Sequence, residues 1–264
     1  MDRSELAYSA ATAGADIAYS LFGTDLDVTT KGSKIDYVTT ADQKAQERIV
    51  DRIHQESPDA QIVGEEQNVS KTMPESGDVW VIDPIDGTTN FVNGIPIWTV
   101  SLAAVQDGEP VAAVNLLPAL DEEYVASSDG IKRDDKIVSV SETADVESFT
   151  ASPILRYGFA QRNEFAAVTG DVIKAVGDIR RFGCAQATLA LVARGAIDVT
   201  FSTVQPDPWD TVAGAYMVEQ AGGKVTDIHG EHWTPASQGI VASNGQNHER
   251  MVTLVRRARE RALG

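Results

Sequence analysis

The chain has 264 residues, 42% of them hydrophobic, and a formal net charge of −17 at pH 7. This length suits one large domain or two closely packed ones, and the negative charge argues against partners such as nucleic acids or anionic membranes. No apolar run is long enough for a transmembrane helix, and the acidic N-terminus lacks the pattern of a signal peptide. With a single cysteine, Cys184, the chain is expected to be cytoplasmic. The charge also suits a halophilic source, because concentrated salt screens repulsion between carboxylates.

Hydrophobic periodicity predicts the elements of the first half of the chain. A helix is expected over 4–22 and a second over 40–56, where Thr40 and Gln43 match a capping box. Asp42 then lies in the first turn of the second helix. Strands are predicted at 61–64, 79–83, 97–105, 111–117 and 122–127, followed by a polar surface loop at 128–146.

The second half alternates strands and helices. The predicted helices are 163–175, 184–194, 209–221 and 246–262, and the predicted strands lie near 149–154, 197–201, 223–227 and 239–242. A helix that starts near Trp209 places Asp210 in its first turn. We expect a first half, 1–145, and a second half, 146–264, that form one inseparable unit and share a single site.

The segment 80–91, Trp-Val-Ile-Asp-Pro-Ile-Asp-Gly-Thr-Thr-Asn-Phe, is the most informative motif of the chain. A short apolar strand ends at Asp83, and Asp86 follows three residues later. Carboxylate oxygens favour Mg²⁺, Mn²⁺ or Ca²⁺ over softer metals. Gly87, before Thr88, lets backbone N–H groups approach a phosphate closely. The motif therefore predicts a hard-cation site beside an oxyanion site, although a plain turn after a buried strand has the same composition.

Three further acidic residues lie at the ends of other predicted elements. Glu65 follows a strand, whereas Asp42 and Asp210 lie in the first turns of helices, a position that the helix dipole favours whatever their function. Binding sites of open α/β sheets form where such ends meet, so we expect these carboxylates to converge with Asp83 and Asp86. Two metal ions about 3.5–4 Å apart would need several carboxylates and would suit in-line phosphoryl transfer.

Taken together, these motifs resemble the inositol monophosphatase superfamily, the Mg²⁺-dependent and often lithium-sensitive phosphomonoesterases. The resemblance covers nearly the whole chain and rests on the segments 36–42, 64–66, 80–91, 209–214 and 219–223. It implies an α+β protein with the layered α/β/α/β/α sandwich of the sugar-phosphatases. The implied activity is hydrolysis of a small-molecule phosphate ester, such as inositol 1-phosphate or fructose 1,6-bisphosphate. A homodimer is also implied.

The resemblance also implies individual roles. The main metal-binding motifs fall in the half 1–145, and the half 146–264 completes the active site. Asp42 and Thr88 are expected to orient and deprotonate the attacking water. The expected ligands of two or three Mg²⁺ ions, which Mn²⁺ could replace, are Glu65, Asp83, the carbonyl of Ile85, Asp86 and Asp210, with Asp83 bridging two ions. The expected substrate-binding residues are Gly87, Thr88, Asp86, Ala185 and Asp210.

One position departs from the family pattern. Inositol-selective members have a glutamate seven residues before the last metal-binding aspartate, and Thr203 occupies that position here. Loss of a charged acceptor weakens discrimination between polyols, so we expect a hydroxyl in the pocket and broad specificity. Alternatives within the superfamily are 3′-phosphoadenosine 5′-phosphate and histidinol-phosphate phosphatases. An alternative of another class is a non-catalytic regulator that binds metal and phosphate.

The remaining polar candidates lie outside these motifs or beside the expected ligands. We expect all four histidines at the surface, and Glu66 either at the surface or behind the metal ligands. Cys184 is expected as a small buried residue beside the substrate rather than as a nucleophile.

Overall fold

A computed structural model describes residues 1–24, 28–30, 37–154 and 158–264. Asp36, the first residue of the segment 36–42, lies outside the described residues. The described residues form the helices α1 (Arg3–Leu21), α2 (Thr40–Glu56), α3 (Thr88–Val92), α4 (Arg162–Ile173), α5 (Ala185–Ala193), α6 (Pro208–Gln220) and α7 (His248–Leu263). The strands are β1 (Val28–Thr30), β2 (Tyr37–Thr39), β3 (Gln61–Gly64), β4 (Asp78–Asp86), β5 (Thr99–Gln106), β6 (Glu109–Leu117), β7 (Glu122–Ser127), β8 (Gly130–Arg133), β9 (Lys136–Ile137), β10 (Thr150–Pro153), β11 (Asp178–Ile179), β12 (Val199–Ser202), β13 (Lys224–Thr226) and β14 (Ile240–Ser243). None of these helices is both long and apolar enough to cross a bilayer.

The strands form two large sheets and the small antiparallel pair β1–β2. The first large sheet has the order β3-β4-β5-β6-β7-β8-β9, in which β3 and β4 are parallel and all other pairs antiparallel. The second has the order β11-β10-β12-β14-β13, in which β10 is parallel to both of its neighbours. Both sheets are therefore mixed, as in an α+β protein.

Helices cover both faces of each large sheet. α1 and α2 pack on one face of the first sheet, α5 and α6 lie between the sheets, and α4 and α7 cover the outer face of the second. Alternation along β4 explains how the first sheet packs against helices on both faces, because successive side chains of a strand point to opposite faces. Trp80 and Ile82 join the core with α1 and α2, whereas Val79 and Val81 join the core with α5 and α6. The predicted α/β/α/β/α sandwich is confirmed.

The capping box of α2 is shifted by one residue from the prediction. Thr39, not Thr40, is the N-cap, and Asp42, not Gln43, completes the box. The Asp42 carboxylate accepts the Thr39 backbone N–H at 2.7 Å, so a short acidic side chain at the third helical position closes the box as a longer one would. Asp42 therefore stabilises the start of α2 independently of any chemistry.

The surface loop predicted at 128–146 was wrong in part. β8 and β9 lie within this segment and extend the first sheet beyond β7. Their turn is Asp134-Asp135, with φ values of 47° and 62°. Two successive positive φ values are typical of a tight hairpin turn, which usually contains Asn-Gly or Asp-Gly. The hairpin escaped prediction because its turn lacks glycine and its strands are short.

His248, at the start of α7, is buried, with an exposed fraction of 3%. The expectation that all four histidines lie at the surface was therefore wrong here, whereas His229 and His232 are exposed and His54 is half-buried. The His248 ring shares hydrogen bonds with Ser243 at Nδ1 and with Thr226 at Nε2. Burial, with a smaller contribution from Lys224, lowers the pKa of His248 to about 4.

We expect His248 to make the protein less stable in acid. The unfolded chain binds the proton below a pKa of 6.5, but the folded protein binds it only below about 4. Above about pH 6.5, protonation of His248 therefore does not affect the free energy of unfolding. As the pH drops towards 4, this free energy falls by up to about 3 kcal/mol. His248→Asn should reduce this slope in urea unfolding between pH 7 and 4. His229→Asn, altered at an exposed site, is the control, and a slope unchanged in His248→Asn would contradict the prediction.

Candidate active site

A cleft of about 680 Å³ lies where the end of β4 meets the N-terminal ends of α3, α5 and α6. It is lined by eight of the nine residues that the sequence predicted for the site: Glu65, Asp83, Ile85, Asp86, Gly87, Thr88, Ala185 and Asp210. The ninth, Asp42, is fully buried and lies behind Thr88. The fold therefore brings residues from both halves of the sequence to one cavity.

An irregularity in β4 places Asp83 and Asp86 on the same side of the strand. In a regular strand, residues three positions apart point to opposite faces. Here Asp83 pairs with Ser101 and Asp86 with Thr99, so β4 contains one more residue than β5 across this interval. Such a bulge reverses the alternation of side chains, and both carboxylates reach the cleft.

The first turn of α5 holds the Asp86 carboxylate. Oδ2 of Asp86 accepts the Gln186 backbone N–H at 2.6 Å and the Cys184 thiol at 3.0 Å. A helix N-terminus favours an anion in this position. Burial raises the pKa of Asp86 to about 6, although these two hydrogen bonds act in the opposite direction. One oxygen of Asp86 is thus bound within the protein, and Cys184 is a buried wall residue as expected.

The acidic residues of the cleft disfavour one another's charged forms. The pKa of Asp83 is raised well above its usual range. Burial is the largest cause, and repulsion from the charges of Glu65, Asp86 and Asp210 adds to it. Burial and the charges of Asp86 and Glu65 likewise raise the pKa of Asp210. A donor set made only of oxygen, in which the charges repel, suits a hard divalent cation such as Mg²⁺ or Mn²⁺.

The individual ligands remain a prediction. Among the described residues, no three acidic, histidine or cysteine side chains are arranged, as they stand, to enclose an ion. The chemistry of the donors nevertheless fits a divalent cation.

Gly87 allows the chain to turn sharply between β4 and α3. Its φ is +90°, and a Cβ at this position would lie 3.1 Å from the Cys184 Cβ and 3.2 Å from the Ile97 carbonyl oxygen. Both the conformation and the space therefore favour glycine. Thr88 follows directly as the first residue of α3, and its Oγ1 lies 3.1 Å from the carbonyl oxygen of Ile85.

Asp42 combines a structural contact with a contact to the cleft. Its Oδ2 accepts hydrogen bonds from the Thr39 backbone and hydroxyl, while its Oδ1 lies 3.4 Å from Thr88 Oγ1. Burial raises the pKa of Asp42 to about 7; the hydrogen bonds from Thr39 oppose this, and the charges of Glu65 and Glu66 add to it. A carboxyl that is easily protonated at neutral pH, in contact with Thr88, suits a proton-accepting role.

Thr203 does not occupy the position that the sequence suggested. It is buried, with an exposed fraction of 1%, and its hydroxyl donates to the Glu164 carboxylate on α4. Thr203 does not line the cleft, whereas Gln205 and Asp207 do. The interpretation that Thr203 offers its hydroxyl to a substrate was wrong, because the end of β12 directs this side chain towards α4.

Two further residues were placed incompletely by sequence reasoning. Arg181, which the sequence analysis did not single out, lines the cleft and lies over the Phe165 ring. Glu66 is buried, and its N–H donates to Gln46 Oε1, so it lies behind the candidate ligands rather than at the surface. Neither position had a periodic or spacing signal that could have located it.

Comparison with known proteins gives a consistent set of relatives. Residues 2–260 match the model of the inositol monophosphatase family. A fructose-1,6-bisphosphatase/inositol-1-monophosphatase of Thermotoga maritima is 37% identical over 226 residues, 83% of this chain and 82% of the relative. Nus factor SuhB of Pseudomonas aeruginosa is 34% identical over 235 residues, 87% of this chain and 86% of that protein. The solved structure of a T. maritima IMPase has a TM-score of 0.90 at 32% identity and covers 99% of this chain and 100% of its own.

Proposed function

The chain belongs to the inositol monophosphatase family, and on this premise we propose that it is a Mg²⁺-dependent phosphomonoesterase acting on small polyol or sugar phosphates. The observation that supports this most is the convergence of Asp83, Asp86 and Asp210 on the cleft that Thr88 lines. When bound, divalent ions would supply the Lewis acidity that phosphoryl transfer requires. Asp83, Asp86 and Asp210, with Glu65 and the Ile85 carbonyl, would hold them.

We assign the remaining chemistry to groups at the start of α3 and α2. The backbone N–H groups of Gly87 and Thr88 hold the phosphate, since both residues line the cleft at the N-terminal end of α3. The Thr88 hydroxyl orients the attacking water, and Asp42, in contact with Thr88, accepts a proton from this water. The methyl side chain of Ala185 leaves space in the wall for the polyol or sugar ring.

Substrate selection is expected to be broad. A cleft of about 680 Å³ is larger than a single polyol phosphate requires, and Thr203 makes its hydrogen bond elsewhere. We expect kcat/KM for inositol 1-phosphate, glycerol 2-phosphate and fructose 1,6-bisphosphate to lie within about two orders of magnitude, less than ~3 kcal/mol of discrimination. A preference for one of them above about 10³-fold would contradict this expectation.

Turnover is expected to depend on metal. Phosphate release should be absent in EDTA, return with Mg²⁺ or Mn²⁺, and be inhibited by Ca²⁺, which accepts oxygen ligands in a looser geometry. The measurement is phosphate release from a panel that also includes histidinol phosphate and 3′-phosphoadenosine 5′-phosphate. Full activity in a metal-free preparation would exclude the metal-dependent reaction. No release from any substrate would favour the non-catalytic regulator.

We also propose that the enzyme is a cytoplasmic homodimer from a salt-rich cell. The net charge of −17 supports the last point, because self-repulsion of this size is screened at high ionic strength. Light scattering tests the homodimer, and thermal unfolding across a KCl series tests the adaptation to salt. A monomer at all concentrations, or a melting temperature that does not rise with salt, would contradict them.

A further inference from the structure

Gln186 is a buried polar residue that the proposed reaction does not use. It lies in the first turn of α5, with an exposed fraction of 0%. Its side-chain Nε2 donates to the Trp209 carbonyl at 2.7 Å, and its Oε1 accepts the Gly214 N–H at 2.9 Å. Its own backbone N–H donates to Asp86 Oδ2 at 2.6 Å.

These contacts join two of the candidate metal ligands through one residue. Trp209 directly precedes Asp210 in the first turn of α6, so the side chain of Gln186 holds α6 at this turn. The backbone of Gln186 holds the carboxylate of Asp86, which belongs to β4. A shift of this residue would therefore change the separation between Asp86 and Asp210.

Close packing leaves little freedom at this contact. A Cβ on Gly214 would lie 2.4 Å from the Leu189 Cβ and 2.8 Å from Gln186 Oε1. The backbone of α6 therefore approaches α5 closely at this point. On the opposite side, the Asn115 amide on β6 donates to both the backbone carbonyl and Oε1 of Gln186 at 3.2 Å. The side-chain amide of Gln186 is thus fixed to the first sheet as well as to α6.

We propose that Gln186 is a positioning residue that sets the separation of Asp86 and Asp210 and thereby the affinity of the cleft for divalent cations. The inference rests on the proposed function, since it requires that these carboxylates bind metal. Residues that orient metal ligands commonly change metal affinity when they are replaced. A buried amide with a purely structural role would instead affect stability alone.

Mn²⁺ binding, measured by electron paramagnetic resonance of the free ion, separates these two roles. Gln186→Leu keeps the approximate size of the side chain but removes its hydrogen bonds. It should weaken Mn²⁺ binding by about 10-fold and raise the Mg²⁺ concentration for half-maximal activity, with a smaller change in kcat at saturating Mg²⁺. Thr200→Val is the matched control, because Thr200 is also fully buried and its hydroxyl donates to the Ser152 carbonyl, and neither residue lines the cleft. It should lower stability without changing Mn²⁺ binding.

Each outcome supports or contradicts the inference. Unchanged Mn²⁺ binding by folded Gln186→Leu, or equal weakening in Thr200→Val, would overturn it. If Gln186→Leu does not fold, Asn115→Ala removes the amide that donates to the backbone carbonyl and to Oε1 of Gln186 and should also weaken Mn²⁺ binding by about 10-fold; no change would again overturn the inference. Wild-type protein that does not bind Mn²⁺ would overturn the proposed metal dependence as well, whereas unchanged binding by the variants overturns the role of Gln186 alone.

Discussion

Replacement of Asp83 by asparagine is expected to reduce kcat by about 10²–10⁴, which corresponds to ~3–5 kcal/mol of lost transition-state stabilisation. Asp83 lies at the end of β4 with an exposed fraction of 1%, and the charges of Glu65, Asp86 and Asp210 act on it. As the proposed bridging ligand, it would be required by two ions at once. Steady-state kinetics at saturating Mg²⁺ measure the effect.

The same variant should fold normally. Because burial and neighbouring carboxylates raise the pKa of Asp83, its charge is unfavourable in the metal-free protein, and a neutral amide should not lower the melting temperature in EDTA. Asp78→Asn is the control, since it makes the same change at the exposed start of β4, where Asp78 pairs with Arg3. A kcat close to that of the wild type in Asp83→Asn would show that Asp83 is not a bridging ligand.

Thr88→Ala and Asp42→Asn are each expected to lower kcat far more than they raise KM. The two groups are in contact and are proposed to act on the attacking water, whose interactions change in the transition state. If they act as one unit, the double variant should be little worse than the poorer single variant. Steady-state kinetics of the two single variants and the double variant are required.

Asp42 also caps α2, so its two contributions must be separated. α1 has an equivalent capping box, formed by Asp2 and Glu5, away from the cleft. Glu5→Gln should therefore reproduce any loss of helix stability without the loss of kcat. Strictly multiplicative effects of Thr88→Ala and Asp42→Asn would indicate that one of the two residues acts elsewhere, with Asp42 at the start of α2 as the first candidate.

The main elements could be predicted from the sequence because each has a strong local signal. Alternating or continuous apolar residues indicated β4 to β7, and β7 was placed correctly to the residue. The elements that escaped prediction are too short for periodicity to be visible, such as α3 with five residues and β11 with two.

Much of the candidate site could also be predicted. The reasoning that acids at element ends converge is consistent with the cleft, where Glu65, Asp83, Asp86 and Asp210 meet. The bulge that turns Asp83 and Asp86 to the same side was not visible, because it depends on the register of β4 against β5. The division of the chain near residue 145 stays a prediction.

The sequence by itself determined the main helices and strands and the oxygen-rich motifs, because these follow from side-chain type and spacing within short segments. Those motifs carried the family resemblance, and the resemblance in turn implied the layered sandwich. Only the tertiary structure decided which groups those segments contact. It directed Thr203 towards Glu164, buried His248 between Ser243 and Thr226, and placed the Gln186 amide between α5 and α6. The physical reason is that a buried polar group needs a partner, and the packing of elements distant in the chain selects that partner, leaving no local pattern.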